Sequence, residues 1–313
     1  MPLNRKTGVF LIKVLVSISL LVFLFWKTDM DLFLKTASSL DIRLFITAAI
    51  LYIGCQYVSS FRWKVLLLAH NITVSTPRLF SFYLVGMFFN NFLPGSIGGD
   101  VVKGYDFYRH SRRGKESATT VFLERYVGLV ALFIIGLTAL VFLYPLLEDP
   151  IIVILMLSIF IVFIIGTIVV VNSSVKNLTI NIVNRFKITK LEKAISGIYE
   201  TVGRYNNHKN SVFNAFLLSV IIQLMNIVVY ITLSDALNII VPWGHFFLFF
   251  PIITIISMLP ISLNGLGVRE GINIYLFSQV GVESPQALTL SLTWFFMVIF
   301  ISVPGGIIFA FRK

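Results

Sequence analysis

Uncharged stretches of helix length, separated by short polar turns, make up most of this chain. Runs long enough to cross a bilayer occur at Gly8–Trp26, Leu44–Phe61, Tyr126–Leu147, Ile151–Val171, Ser211–Leu233 and Gln286–Phe311. Each approaches the ~20 residues that a helix needs to cross the hydrocarbon core. The third is expected to begin earlier, near Ser117, with Glu124 and Arg125 in its first turns. Two further runs, Leu79–Leu93 and His245–Leu259, are shorter. At about 15 residues and 1.5 Å per residue they reach roughly 22 Å, less than a ~30 Å core. Each stops at a proline, which lacks the amide donor of a helix interior and disfavours helical geometry before it. Both are expected to be re-entrant, entering the membrane and leaving on the side they came from.

The two breaks carry one motif. NNFLPGSIGGDVVKGY (Asn90–Tyr105) and SMLPISLNGLGVREG (Ser257–Gly271) align so that Leu93, Pro94, Ser96, Gly99, Val102 and Lys103 answer to Leu259, Pro260, Ser262, Gly265, Val268 and Arg269. Paired Gly/Pro-interrupted segments in two halves of a membrane protein point to a transport site. Residues 1–148 and 149–313 each read as two spans, a re-entrant segment and one span. An odd number of crossings per half turns the second half upside down. The expected fold is therefore an all-α polytopic membrane protein of six full transmembrane helices plus two re-entrant segments, arranged as an inverted repeat in one transmembrane domain.

Charge fixes the orientation. With six crossings and the N-terminus inside, all Lys and Arg except Lys27, Lys35, Arg43 and Arg269 fall on one side or near it. That side holds residues 62–78, 94–116 and 172–210 and both termini. The positive-inside rule makes it the cytoplasmic face of the cell membrane. A basic, amphipathic linker at 176–210, with Ile182, Phe186, Leu191, Ile195, Ile198, Tyr199 and Val202 at roughly helical spacing, fits a helix on the leaflet surface or a solvated linker.

Composition agrees: 57% hydrophobic and 12% charged residues exclude an ordinary soluble domain. The net charge of +11 could suggest nucleic acid, but the cations sit in loops between spans, where orientation in an anionic membrane explains them. Arg5 and Lys6 precede the first run without a cleavage site after it, so an uncleaved span is expected. Cys55 lies in an apolar run and reads as a small buried hydrophobe. No P-loop, HExxH, GxSxG or Cys/His metal spacing is present, so neither cofactor nor metal is expected.

The candidate chemistry gathers at the breaks. Gly95, Gly98, Gly99, Gly265 and Gly267 let backbone amides face a cavity, and Lys103 or Arg269 adds positive charge. A phosphate-bearing headgroup is the natural partner, its phosphate contacted by Lys103 and Arg269. Asp100, Glu124 and Glu270 would hold these cations, or take a positively charged headgroup. The alternative is that Glu124–Arg125 and Arg269–Glu270 are structural ion pairs. Asp29-Met-Asp31 forms a DxD triplet outside, as a membrane glycosyltransferase using polyprenyl-phosphate sugars would place one; that is the alternative function.

Three ordered segments, LPGSIGGDVVKGY, TTVFLERYVGLVAL (Thr119–Leu132) and LPISLNGLGVREG, resemble the lysylphosphatidylglycerol synthase transmembrane-region family, also called flippase-like domain proteins. In its best understood members, the multiple peptide resistance factors, this region moves an aminoacylated phospholipid between leaflets after a soluble domain has made it. The chain stops at Lys313, directly after its last span, so the resemblance implies the translocating part without the aminoacyl-transferase, and a separate lipid-modifying enzyme as partner. Other relatives are associated with polyprenyl-linked sugars or hopanoids, so the lipid does not carry over. The motif positions that do are Pro94, Gly98, Gly99, Asp100, Lys103, Glu124, Arg125, Gly265, Gly267, Arg269 and Glu270. The expected function is translocation of a phospholipid or lipid-linked headgroup, without enzymatic activity.

Overall fold

A computed structural model describes residues 5–93, 98–146, 149–171, 203, 205, 208–259 and 261–312. Pro94, Gly95, Ser96, Pro260 and nearly all of the linker at 176–210 lie outside these, so the expected surface helix is outside the described residues. Every long element described is a helix: α1 (Arg5–Lys27), α2 (Met30–Ser38), α3 (Ile42–Leu68), α4 (Thr76–Asn90), α5 (Gly98–Ser111), α6 (Gly114–Leu143), α7 (Pro150–Val171), α8 (Lys209–Ala236), α9 (Trp243–Ser257), α10 (Val268–Ser278) and α11 (Ser284–Phe311).

Among the described residues, five helices are long and apolar enough to cross a membrane: Ile42–Leu68, Glu116–Leu143, Pro150–Ile168, Lys209–Ala236 and Ser284–Phe311. Helix α1, 23 residues long, encloses the expected first span. The outward faces carry large apolar side chains: Ile154, Ile161, Val162 and Ile165 of α7, for example, are all exposed. Such a band has no place in water and suits lipid. Helix α7 touches the rest through one side, where Phe163 stacks on Phe133 of α6 at 4.3 Å and Tyr126 donates to Thr167 at 3.2 Å.

The short apolar runs form the outgoing limbs of two antiparallel helical hairpins. In the first, α4 and α5, Phe82 meets Phe107 (6.1 Å) at the base, and the amide of Gly99 donates to Asn90 Oδ1 (2.7 Å) at the tip. In the second, α9 and α10, Phe249 meets Phe277 (5.4 Å) at the base, and Gly265 lies on Ser257 at the tip. The sequence places each break at a proline. The helices close earlier, at Asn90 and Ser257, and single turns carry the chain on: Leu93 N donates to Phe89 O, and Leu259 N to Ile256 O.

Helix α6 serves as a ruler for the hairpins. Tyr108, Gly104 and Asp100 of α5 pack beside Gly114, Ser117 and Arg125, so the first hairpin climbs α6 from its N-terminal end. Gly244 and Pro251 of α9 pack beside Leu143 and Gly136, so the second descends from the opposite end. Asp100 from the first tip and Met258 from the second line one cavity with Arg125 and Leu129, which are about one helical turn apart on α6.

Two further contacts hold the hairpins. Helix α4 lies against α11, where Asn91 Nδ2 donates to Ser302 (2.9 Å) and Gly305 rests on the backbone of Leu84. A Cβ at Gly305 would overlap the Leu84 carbonyl, and this small residue is what allows the close approach. Helices α3 and α8 run antiparallel through the centre, from the Asp41 N–H to Ala236 O bond (2.8 Å) at one end to Leu66 and Ala215 at the other.

Candidate functional site

One correction shapes the site. Residues from 62 onward were expected to form a loop after a span ending at Phe61. Instead α3 continues to Leu68, and Arg62 is buried in it. The apolar residues Val65–Leu68 carry the helix on, and a buried carboxylate satisfies the charge. Arg62 Nη1 donates to Ser219 (2.8 Å) and Nη2 to Glu124 Oε1 (3.2 Å).

Around Glu124 a five-membered charge cluster forms. Lys103 Nζ donates to Glu124 Oε2 at 2.9 Å and lies 3.5 Å from Asp100. The rings of Tyr83 and Trp63 cover the ammonium, at 4.0 and 4.9 Å from their centroids. Arg125 pairs with Asp100 through Nε. Burial of isolated charges in a low dielectric costs several kcal/mol each, so these groups stand because each faces an opposite charge. The cluster has an inner and an outer part. Glu124 (2% exposed) and Lys103 (4%) are enclosed, whereas Asp100 and Arg125 form part of a cavity wall.

That cavity, about 620 Å³, runs between α5 and α6. Val101, Tyr105, Val121, Phe122 and Leu129 make it apolar, and Met258 from the tip of the second hairpin closes one end. Met258 also lines a second cavity, of about 310 Å³, with Gln56, Gln223, Asn226, Asn264 and Arg269 among its walls.

The second break is built from local geometry. Gly265 and Gly267 adopt φ of +75° and +82°, where a Cβ is strained, and Asn264 joins them at +47°. The Gly267 amide donates to Glu270 Oε2 at 2.6 Å, which caps α10. Glu270 is fully buried; its Oε1 accepts from Arg269 (2.6 Å) and Ser291 (3.1 Å). Arg269 lies 4.9 Å from the Phe295 ring centroid and reaches the second cavity. Helix α1 pins this break, since Ser17 Oγ accepts from Leu263 N at 2.8 Å.

Of the residues singled out in the sequence, Asp100, Lys103, Glu124 and Arg125 come together, and Gly265, Gly267, Arg269 and Glu270 form a second group. Gly98 opens α5 against Leu93, and Gly99 packs on Gly86. Pro94 lies outside the described residues. Sequence reasoning missed Arg62 and the polar stripe of α8. Ser219, Gln223, Asn226 and Tyr230 recur at helical spacing and connect the groups: Ser219 accepts from Arg62, Gln223 donates to Gly128 O (3.3 Å), and Tyr230 accepts from Asn273. Their helical spacing is readable in the sequence. Asp29, part of the DxD triplet, caps α2, its carboxylate accepting from the amides of Asp31 and Leu32 at 3.0 and 3.1 Å. Among the described residues no group of three or more His, Cys, Asp or Glu could hold a metal ion.

Long apolar helices and an exposed apolar band define a multi-pass helical membrane protein. It belongs to the family described as the lysylphosphatidylglycerol synthase TM region, whose sequence pattern matches residues 10–305. Similar proteins include a UPF0104 membrane protein of Pyrococcus horikoshii, 23% identical across 94% of this chain and 95% of its own length. Another is a UPF0104 membrane protein of Methanothermobacter thermautotrophicus, 28% identical across 71% of each.

Proposed function

We propose that this protein takes the headgroup of a phospholipid or lipid-linked sugar between its two hairpin tips and passes it from one leaflet to the other. The observation that carries this reading is the position of Met258, shared by the apolar cavity at Asp100–Arg125 and the polar cavity at Arg269. Polar headgroups cross hydrocarbon only where protein supplies hydrogen bonds, and irregular backbone at membrane depth persists only where protein or water lines it. The α8 stripe of Gln223, Asn226 and Tyr230 supplies such groups between the two sites. Acyl chains would lie along Val101, Tyr105 and Phe122.

In this reading α1 is the sixth span, the hairpins are re-entrant from opposite faces, and the halves 1–148 and 149–313 form an inverted repeat. The swapped packing, α4 on α11 and α9 on α6, supports that symmetry. The termini and the base of the first hairpin face the cytoplasm, where most of the cations lie. Arg269 contacts the phosphate, and Arg125, on the cavity wall, takes the part expected of Lys103, which is enclosed with Glu124. Lys103, Glu124 and Glu270 hold the arginine-bearing segments in place, and no covalent step is required.

The test is reconstitution in liposomes containing a headgroup-labelled phospholipid, with a membrane-impermeant quencher reporting the leaflet. Wild-type chain should expose label from the inner leaflet, and R125Q and R269Q should slow this at least tenfold. D31N should leave the rate unchanged; glycosyl transfer abolished by D31N, with no lipid movement in the wild type, would replace this reading with the sugar-transferring one.

A further inference from the structure

The base of the first hairpin holds a cavity that takes no part in the site above. Its volume is about 260 Å³, and Arg78, Phe82, Asp106, Arg109, His110 and Arg312 line it. Three elements supply these groups: the first two turns of α4, the last two turns of α5 and the residue after α11. Arg312 is held in a fixed pose. It pairs with Asp106, donates to Ser81 Oγ at 2.6 Å and lies 4.5 Å from the Phe82 ring centroid. Arg78 contacts His110 Nε2 at 3.4 Å, and the His110 ring packs by Phe82.

Among the described residues, three guanidiniums and one carboxylate line this small wall, an excess of positive charge. Like charges so gathered repel, and an anion relieves that repulsion. Arginine forks match phosphate oxygens two at a time, which a point-charged lysine does not. The N-terminus of α4 adds a favourable dipole; the C-terminal end of α5 offsets part of it. We propose that this cavity is a phosphate-binding site. Arg78 and Arg109 take the phosphate oxygens, and Arg312, set by Asp106, forms the back wall. Its place beside the exposed Phe309 and Phe311 at the end of α11 favours phosphate carried on an anionic lipid of the adjacent leaflet. Occupancy would tie α4, α5 and α11 together at the base of the hairpin.

Native mass spectrometry of the full chain with dioleoyl phosphatidylglycerol, phosphatidylcholine and inorganic phosphate tests this. Wild-type chain should retain phosphatidylglycerol at least tenfold more tightly than R78Q/R109Q does. R112Q/R113Q, which removes equal charge outside the cavity, should stay near wild type. Displacement by millimolar inorganic phosphate would uphold the site and assign it to phosphate of either source, while indifference to phosphate would assign it to the lipid headgroup. Equal retention by R78Q/R109Q, or an equal loss in R112Q/R113Q, overturns the proposal. If R78Q/R109Q does not fold, R109K decides. About threefold weaker retention supports fork recognition, and unchanged retention overturns it.

Discussion

Asp100 and Met258 line the same cavity, although one opens the return limb of the first hairpin and the other closes the outgoing limb of the second. Their proximity on α6 follows from the two hairpins entering from opposite ends of that helix. Asp100 is also the partner of Arg125, so the ion pair lies where the two breaks converge.

The Asp100–Arg125 pair is partly exposed, and its loss should affect transport more than folding. D100N and R125Q should each slow lipid movement at least tenfold with little change in thermal stability. The swap D100R/R125D should not recover the rate, because Arg125 itself meets the phosphate and Asp100 also faces Lys103. Paired transport and melting measurements check this.

Glu124 is the opposite case. It accepts from Arg62 and Lys103 inside the protein, and E124Q leaves Arg62 without its carboxylate and Lys103 with only the longer contact to Asp100. Breaking such a buried pair costs about 3–5 kcal/mol. Unfolding of E124Q in detergent should show a loss of that size, well beyond that of R125Q.

Gly305 sets how closely α4 approaches α11. Leucine there would drive its Cβ into the Leu84 carbonyl and force the helices apart. Overpacking of this kind costs roughly 1–3 kcal/mol. G305L should lower the melting temperature and weaken the Asn91–Ser302 bond, while G166L on α7, with open space around it, should be neutral.

Asp149, in the turn between α6 and α7, accepts from the Tyr275 hydroxyl at 2.6 Å and from the Ile151 amide at 2.8 Å. The Tyr275 bond first, and then the amide, hold its carboxyl below the usual carboxylate range. A lowered folded-state pKa gives stability that is fully present above the unfolded value of about 3.9 and is lost as pH falls through the folded one. The stability difference between wild type and D149N should be constant near neutral pH and fall away below pH ~4. Melting curves across that range measure it.

Much of this arrangement is legible in the sequence because the membrane leaves few options. Uncharged length marks the spans, and the duplicated Leu-Pro motif marks the breaks, since a bilayer admits broken helices only inside protein. Asp100, Lys103, Glu124 and Arg125 stand out as charges near hydrocarbon, and they do meet. Arg62 was not legible, because hydropathy cannot distinguish a cation ending a span from one buried within a longer helix by a distant carboxylate. Nor was the Asp106–Arg312 pair, which joins residues that only the fold brings together. The role of Gly305 depends on which helix lies against it, and that information is absent from any single segment.

The most direct test is cysteine accessibility from each face of the membrane, in a chain with Cys55 replaced by alanine. Single cysteines would stand at Ser75 and Arg113, at the base of the first hairpin, and at Ile240 and Gln279, at the base of the second. An impermeant thiol reagent should modify Ser75→Cys and Arg113→Cys from the cytoplasmic face only, and Ile240→Cys and Gln279→Cys from the opposite face only. Labelling of the two ends of one hairpin from different faces, or of all four positions from a single face, would contradict two re-entrant hairpins meeting from opposite sides.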